Sequence, residues 1–363
     1  MADTMKIAVL GGGNSAQTMA ADLVLEGASV NLCDLPEFES SIAHVMKTGA
    51  IEKYGSTGST GKTGHAPLNK VTTSIADAID GVEIVFLAVP AYGHMTFYEA
   101  LADCLQDGQT VVTIPGCWGA LRLSRLLKQR GSTKRITVAE TSQCVHVCRV
   151  AEPWLGPGKV RVIAERKSFQ IAAIPAKETD SVRELVASLY PQVKSATNVL
   201  ETSLNNGNFI VHAPMVIMNA GWIEHTNGDF MFYRDGATRS IGGVIDAIAA
   251  ERDTISAKLG FTPMPAAPYI DRMKDVEWVN DPCETAPPSL QHRYVSEDVP
   301  YGLVPIAGFG DLLDVPTPAA DSMIVLSSIS NESDYWKEGL TLEKLGFGGL
   351  SAQEILEIAN KGY

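Results

Sequence analysis

A glycine-rich turn near the start of the chain constrains the fold more than any other feature. Residues 6–10 (KIAVL) read as a short buried strand, and the run Gly11-Gly12-Gly13-Asn14-Ser15-Ala16 follows directly. After the turn, apolar residues recur at helical spacing until Gly27: Ala16, Met19, Ala20, Leu23 and Val24. The run fits G-x-G-x-x-G/A between a strand and a helix, the arrangement that receives a pyrophosphate at a helix N-terminus. We therefore predict a dinucleotide site with these contributions: Gly11 for the tight turn, Gly13, Asn14 and Ser15 beside the phosphates, and Ala16 for close helix packing.

Two further positions extend this predicted site. Asp34 ends a second predicted strand, Ser29 to Cys33, where a carboxylate can accept hydrogen bonds from the adenosine ribose hydroxyls. Glu37 follows and no Arg or Lys lies close by, so a 2′-phosphate would be repelled and NAD is favoured over NADP. Pro90 follows the strand pattern Glu83–Val89, at the sheet edge where the ribose and nicotinamide are expected.

Strand and helix patterns alternate through the first half of the chain, which is typical of a parallel, doubly wound sheet. Further strands are predicted at 110–114, 135–139, 160–164 and 169–174, and helices near 75–80, 94–105 and 179–189. Residues 44–70 are rich in Gly, Ser and Thr, and we expect an irregular insertion there. At the start of the helix near 94, we expect His94 to face solvent.

The strand signals fade near residue 200, and helical periodicity with Pro-rich joints replaces them. A chain of 363 residues exceeds one average domain. We therefore predict an α/β fold, with a Rossmann doubly wound parallel sheet over residues 1–196 that binds NAD. An all-α C-terminal domain over residues 197–363 would bind the substrate and carry the catalytic groups. Ser351 and Glu354 form a capping box before a final helix.

Charge and hydropathy limit the partners and the location. A formal net charge of −13 argues against nucleic acid and anionic membrane surfaces, which both need a basic face. No apolar run reaches the roughly 18–20 residues that span a bilayer, and no signal peptide is evident. We predict a cytoplasmic protein with small-molecule substrates, no nucleic-acid or membrane partner, and assembly as a homodimer.

One cluster of metal-binding residue types interrupts this pattern. Cys144 and Cys148 are four apart with His146 between them, but no second Cys/His cluster would complete a closed metal site. Buried reduced thiols are the preferred interpretation, and we predict no metal site.

A polar stripe marks an otherwise apolar segment of the second half. Phe209 to Ile223 is apolar except for His212 and Asn219, with Asn208 just before it. At i, i+4 and i+11 these three residues would share one face of a single helix. The stripe fits a catalytic site, and it also fits a core helix whose polar groups bond to neighbouring loops.

Three separated blocks of residues together resemble the opine dehydrogenase (octopine/nopaline dehydrogenase) family. They are the glycine turn, Asn208…His212…Pro214…Asn219-Ala220-Gly221, and Arg293-Tyr294…Glu297-Asp298-Val299-Pro300-Tyr301-Gly302. The segments Val315-Pro316-Thr317-Pro318 and Thr341 to Gly346 are also similar to that family's C-terminal pattern.

The resemblance implies a reaction and roles for the polar residues. The amine of an amino acid and a 2-oxo acid such as pyruvate would form an imine, which NADH reduces to a secondary amine dicarboxylate. By that resemblance, His212 is the acid/base, Asp298 orients its ring, and Arg293 binds a substrate carboxylate. Asn208 and Asn219, from the polar stripe, are predicted to contact substrate as well.

Two alternatives remain open at this point. A 2-oxo acid or ketopantoate-type reductase acting without an amine has a similar architecture, but such families place an essential Lys on the early helices of the second domain. Here no Lys lies between Lys194 and Lys258. A non-catalytic NAD-binding protein would need neither His212 nor Asp298.

Overall fold

A computed structural model of the protein describes residues 4–55, 62–150, 156–263, 267–274 and 276–363. The chain separates into two compact units, the first made of Met1–Ser203 with Ile358–Tyr363 and the second of Leu204–Glu357. The division comes after residue 203, beyond the predicted 196/197 boundary. The reason is local, because the side chains of Thr202 and Ser203 both donate hydrogen bonds to Glu140 in the first unit.

Among its described residues, the first unit contains twelve strands in two sheets. They are β1 Lys6–Leu10, β2 Ser29–Cys33, β3 Ala50–Gly55, β4 Gly64–Pro67, β5 Lys70–Thr72, β6 Ile84–Leu87, β7 Thr110–Thr113, β8 Thr137–Thr141, β9 His146–Val150, β10 Lys159–Glu165, β11 Phe169–Ile174 and β12 Val193–Ser195. Its helices are α1 Asn14–Leu25, α2 Glu39–Thr48, α3 Ile75–Ile79, α4 His94–Cys104, α5 Gly119–Gln129 and α6 Thr179–Ala187.

The larger sheet has eight strands in the order β12-β11-β8-β7-β6-β1-β2-β5. Neighbouring strands are parallel except β8 and β11, which are antiparallel. The chain runs outward from β1 in both directions, so the strand order reverses beside β1. In open α/β sheets, ligands bind outside the carboxyl ends of the strands at such a reversal, and the glycine turn follows β1 there.

The smaller sheet, in the order β4-β3-β10-β9, packs against α1. Two sequence predictions are therefore wrong. Residues 44–70 are not an irregular insertion, because they contain the end of α2 and strands β3, β4 and the start of β5; residues 56–61 lie outside the described residues. Strand 160–164 belongs to this smaller sheet, since β10 pairs with β3 and β9. Pairing between strands so distant in sequence leaves little local signal.

A buried ion pair lies between α1 and the smaller sheet. Lys53 on β3 donates to the carboxylate of Asp22 on α1, and each side chain is only 1% exposed. The His146 Nε2 atom lies 3.4 Å from the other Asp22 oxygen. Burial acts to raise the pKa of Asp22, but two neighbours outweigh it. The pKa is held at about 2 by the hydrogen bond and charge of His146 and by the charge of Lys53.

The second unit is helical, as predicted. Its helices are α7 Val199–Leu204, which begins in the first unit, α8 Gly207–Ile217, α9 Ala220–Thr226, α10 Phe232–Asp235, α11 Arg239–Lys258, α12 Tyr269–Met273, α13 Arg293–Ser296, α14 Val304–Leu312, α15 Pro318–Ser330, α16 Tyr335–Glu338, α17 Leu342–Leu345 and α18 Ala352–Lys361, which ends in the first unit. A π-helical turn, Val299–Leu303, precedes α14. In the core around α8, Met215, Val216 and Ile245 are fully buried.

The C-terminal helix begins where the capping box predicts. Ser351 Oγ lies 2.7 Å from Glu354 Oε2, and the Glu354 N–H donates back to Ser351 Oγ. Over the described ranges, none of the helices combines the length and the apolar character that crossing a bilayer would need.

Candidate active site

The glycine turn forms a cradle that fits a pyrophosphate. Gly11 has φ +115°, and a Cβ there would lie 2.8 Å from the carbonyl oxygen of Ala88, so only glycine is tolerated. A Cβ on Gly13 would have no neighbour within 4 Å, which leaves that side of the backbone open. In the part of the chain that the structure describes, no side chain caps α1, and the first turn of α1 carries no acidic residue. The uncapped N–H groups and the positive helix end can therefore receive phosphate.

The side chains of Asn14 and Ser15 point to the segment around β9. The Val150 N–H donates to Asn14 Oδ1 at 2.9 Å, and Ser15 Oγ lies 3.6 Å from Cys144 Sγ. The thiol of Cys148 in turn contacts the carbonyl oxygen of Asn14. These side chains fix the start of α1 against β9, so the contribution of Asn14 and Ser15 to a phosphate site would come from their backbone.

Contacts to α1 therefore explain the grouping of Cys144, His146 and Cys148, which are residue types that can bind metals. Cys144 and Cys148 contact its first turn, and His146 reaches Asp22. Within the described ranges, no three His, Cys, Asp or Glu side chains are arranged to hold a metal ion.

Asp34 is buried at the end of β2 and is already hydrogen-bonded. Its carboxylate accepts the N–H of Leu35 at 2.9 Å and the hydroxyl of Ser41 at 2.7 Å, and the Gly12 N–H also contributes. Burial raises the pKa of Asp34, the hydrogen bonds act against this, and the nearby charge of Glu37 raises it further. A carboxylate has about four acceptor positions, so with three in use about one remains for a ribose hydroxyl. Glu37 therefore adds a second negative charge in the neighbourhood of Asp34.

Pro90 begins the turn after β6, as predicted, but His94 does not face solvent. Its side chain is fully buried, and Nε2 lies 3.2 Å from the carbonyl oxygen of Val89. Burial lowers the pKa of His94 to about 3, so the ring is neutral at physiological pH. The exposure prediction was wrong because α4 packs against α5, where a Cβ on Gly119 would lie 3.2 Å from His94 Nδ1, and this is a tertiary contact.

His212 and Asp298, 86 residues apart in sequence, form a buried pair in the second unit. The imidazole Nδ1 lies 2.5 Å from Asp298 Oδ2, and each side chain is 7% exposed. A carboxylate can only accept, so Nδ1 carries the hydrogen and Nε2 is left for proton exchange. The same arrangement orients the base in catalytic triads.

One proline and one glycine bring His212 and Asp298 together. Asp298 stands directly before the π-helical turn, in which Pro300 lacks the N–H that a regular α-helix would use. A Cβ on Gly302 would lie 2.3 Å from the ring of Phe209, so glycine lets this turn approach α8 closely. Phe209 and His212 are three residues apart on α8, so the approach places Asp298 beside the imidazole.

Aromatic side chains surround His212, and sequence reasoning did not assign them a role. Tyr294 stacks on the imidazole, with ring centroids 3.9 Å apart. The Tyr233 hydroxyl lies 2.9 Å from His212 Nε2, and Trp278 packs edge-on against Tyr233. The only sequence signals were the aromatic-rich stretch Trp222 to Tyr233 and the Arg293-Tyr294 dipeptide.

Arg293 lies at the rim of this aromatic group. Its side chain is 50% exposed, and Nη1 donates to the buried Glu297 carboxylate at 3.2 Å. The guanidinium is 5.5 Å from the ring centroid of Tyr294, the ring that also stacks on His212. Glu297 therefore holds a half-exposed cation beside Tyr294.

The single helix predicted over Phe209–Ile223 is wrong. α8 ends at Ile217 and a new helix starts at Ala220, so Asn219 is not on the face of His212. The Asn219 amide nitrogen donates to the carbonyls of Met215 and Gly236, which stabilises the joint between the helices. Asn208 remains on α8, one turn before His212, with a half-buried side chain.

Comparison with known families gives two matches along the chain. Residues 195–331 match the family described as NAD/NADP octopine/nopaline dehydrogenase, alpha-helical domain. Residues 6–115 match NADP oxidoreductase coenzyme F420-dependent.

Characterised relatives match over nearly the full length. The chain is 32% identical to an opine dehydrogenase of Arthrobacter sp. (strain 1C), over 98% of this chain and 99% of the relative. It is 24% identical to the protein ocs of Agrobacterium tumefaciens (strain Ach5), again over 98% and 99%. The structure of an octopine dehydrogenase with NADH and pyruvate superposes with a TM-score of 0.76 at 18% identity, covering 97% of this chain and 98% of that one. At 18% identity, this similarity shows a shared fold and nothing more.

Proposed function

Because the chain belongs to the opine dehydrogenase family and is an NAD-dependent oxidoreductase acting on opine secondary amines, we propose that it joins an amino acid to a 2-oxo acid such as pyruvate. The amine and the oxo carbon form an imine, and its reduction gives a secondary amine dicarboxylate. The nicotinamide, when bound, supplies the hydride. The observation that carries the proposal is the buried His212–Asp298 pair, which equips the helical unit for proton exchange.

His212 is proposed as the acid/base, with Asp298 as its orienting partner. Loss of water from the first adduct requires a proton on the leaving oxygen, and oxidation of the amine in the reverse direction requires a base. An imidazole serves both directions, because Nε2 can give or accept the proton while Nδ1–H stays bonded to Asp298. The negative charge of Asp298 stabilises the imidazolium that forms.

Arg293 is proposed to bind a substrate carboxylate. A guanidinium has five N–H donors, so it can hold a carboxylate in two parallel bonds while Nη1 stays paired with Glu297. Asn208 is retained as a proposed substrate contact. The two donor bonds that Asn219 makes to backbone carbonyls favour a structural role for that residue.

For the cofactor, we propose that Gly11, Gly13, Ala16 and the backbone of Asn14 and Ser15 hold the pyrophosphate of NAD. Asp34 would accept an adenosine ribose hydroxyl, and Pro90 would lie beside the nicotinamide ribose. The open face of Gly13 and the uncapped start of α1 support this assignment.

A cytoplasmic location and a homodimer are also proposed. All six cysteines are free thiols, which suits a reducing compartment. A face of α15 exposes Val325, Leu326 and Ile329, with Ile329 70% exposed, which suits a contact between copies. Light scattering on the purified protein measures the oligomeric state directly.

The decisive experiment is a screen of NADH consumption with amino acids crossed against 2-oxo acids, with amine-free controls. We expect NADH oxidation to require both substrates and the product to be a secondary amine by mass spectrometry. His212→Ala should lower turnover by about 10²-fold or more with NADH affinity retained. Full activity without an amine would assign the protein to the 2-oxo acid reductases instead.

A further inference from the structure

Both nitrogens of the His212 imidazole have hydrogen-bond partners in the second unit. Asp298 can only accept, so Nδ1 carries the hydrogen and Nε2 of the neutral ring is an acceptor. The group 2.9 Å from Nε2 is the hydroxyl of Tyr233, which must then donate its hydrogen to the ring. The atom that should exchange a proton with substrate is therefore in contact with a phenol.

Packed rings hold the phenol in this place. Trp278 meets the Tyr233 ring edge-on at 5.0 Å, and Phe232 meets it at 5.1 Å. Tyr294 covers a face of the imidazole at 3.9 Å. Tyr294 covers one face of the imidazole, and Asp298 occupies Nδ1. A proton that leaves or reaches Nε2 therefore passes through the Tyr233 oxygen.

A phenol can serve both protonation states of the imidazole. Toward neutral His212 it donates, and toward the imidazolium it accepts the Nε2 hydrogen, because a hydroxyl is both donor and acceptor. Burial raises the pKa of Tyr233 well above its usual value. The phenol therefore does not persist as tyrosinate and must receive one proton as it gives another.

We propose that Tyr233 is a further catalytic residue that relays the proton between His212 and the substrate, an inference that rests on the proposed function. In the condensation direction the amine nitrogen forms a bond to the oxo carbon, and the proton lost from that nitrogen goes to the oxo oxygen. The phenol then gives its proton to the resulting hydroxyl while it takes the Nε2 proton of the imidazolium. As the C–O bond breaks and water leaves, the nitrogen lone pair forms the C=N bond of an iminium ion, which carries the positive charge, and both Tyr233 and His212 end neutral.

Tyr233→Phe tests the relay, because it removes the hydroxyl and keeps the ring. We expect kcat to fall by about 10²-fold while KM for the 2-oxo acid changes by less than about threefold. In mixtures of H2O and D2O, the rate of the unmodified enzyme plotted against the D2O fraction should give a curve, because two protons move together. The same plot for the variant should be a straight line. Without cofactor or substrate, the ¹⁵N resonance of His212 Nε2 should move when the donated hydrogen bond is lost.

A matched control is Tyr335→Phe, since Tyr335 is also buried in the second unit and its hydroxyl accepts one bond from Asn331. This variant should keep the rate and the curved isotope response. A Tyr233→Phe rate within threefold of the unmodified enzyme, or above it, would overturn the relay. So would a linear isotope response in the unmodified enzyme, which needs no variant to fold. If His212→Ala is active, the proposed function fails; if only Tyr233→Phe is active, the relay alone fails.

Discussion

Replacing Asp298 by Asn tests the buried pair on which the proposed chemistry depends. The change keeps the shape of the side chain and removes its charge. In the structure the carboxylate is 2.5 Å from His212 Nδ1 and almost fully buried, so water cannot replace the lost interaction well. The Asn amide can also donate to Nδ1, which would favour the wrong tautomer for proton exchange at Nε2.

The expected loss follows from the geometry. Two unit charges about 4 Å apart interact by about 4 kcal/mol at an effective dielectric constant near 20. A hydrogen bond to a charged group contributes about 1.5–3 kcal/mol, and part of that is the same interaction. A loss of about 4 kcal/mol from the step that forms imidazolium corresponds to about 10³-fold, since each 1.36 kcal/mol is tenfold.

The assay is steady-state NADH oxidation with both substrates saturating, with NADH binding measured separately by fluorescence. We expect kcat to fall about 10³-fold and the NADH dissociation constant to stay within twofold, because the glycine turn lies in the other unit. Asp271→Asn is the control, since Asp271 forms an exposed i,i+3 pair with Lys274 and should leave kcat unchanged. A folded Asp298→Asn enzyme with kcat within fivefold of normal would refute the reasoning.

Three further predictions concern the first unit. First, Asp34 and Glu37 should make kcat/KM for NADH exceed that for NADPH by about 10²-fold or more, because like charges cost several kcal/mol; equal values would contradict the ribose assignment. Second, Asp22→Asn deprives the buried Lys53 of its carboxylate and should lower the free energy of unfolding, measured in urea, by about 3–5 kcal/mol. A loss under 1 kcal/mol would mean that the Lys53 charge is solvated. Third, burial raises the pKa of Glu140 from 4.5 to about 7. Protonated Glu140 therefore stabilises the folded protein fully below pH 4.5, and this stabilisation is lost as the pH rises through 7. Stability should therefore fall by about 3 kcal/mol between pH 5 and pH 8, and Glu140→Gln should abolish that slope; an unchanged slope in the variant would assign it to another group.

Local patterns predicted the first βαβ unit well. β1, the glycine turn and α1 are encoded within about twenty residues, because strand burial, positive φ at Gly11 and helical spacing are all short-range properties. The capping box at Ser351 is equally local. The smaller sheet was missed because its two antiparallel pairs, β3–β4 and β9–β10, join only where β3 pairs with β10, over a hundred residues away in sequence.

The site divides in the same way. From the sequence, the polar stripe marked His212 as a candidate, and the family resemblance implied the roles of His212, Asp298 and Arg293. Only the tertiary structure decided that Gly302 lets the π-helical turn approach α8, that Asn219 lies at the joint between α8 and α9, and that Tyr233 contacts Nε2. The physical reason is range: backbone propensity and side-chain spacing act over a few residues, whereas a hydrogen bond across 86 residues exists only after both helices have packed.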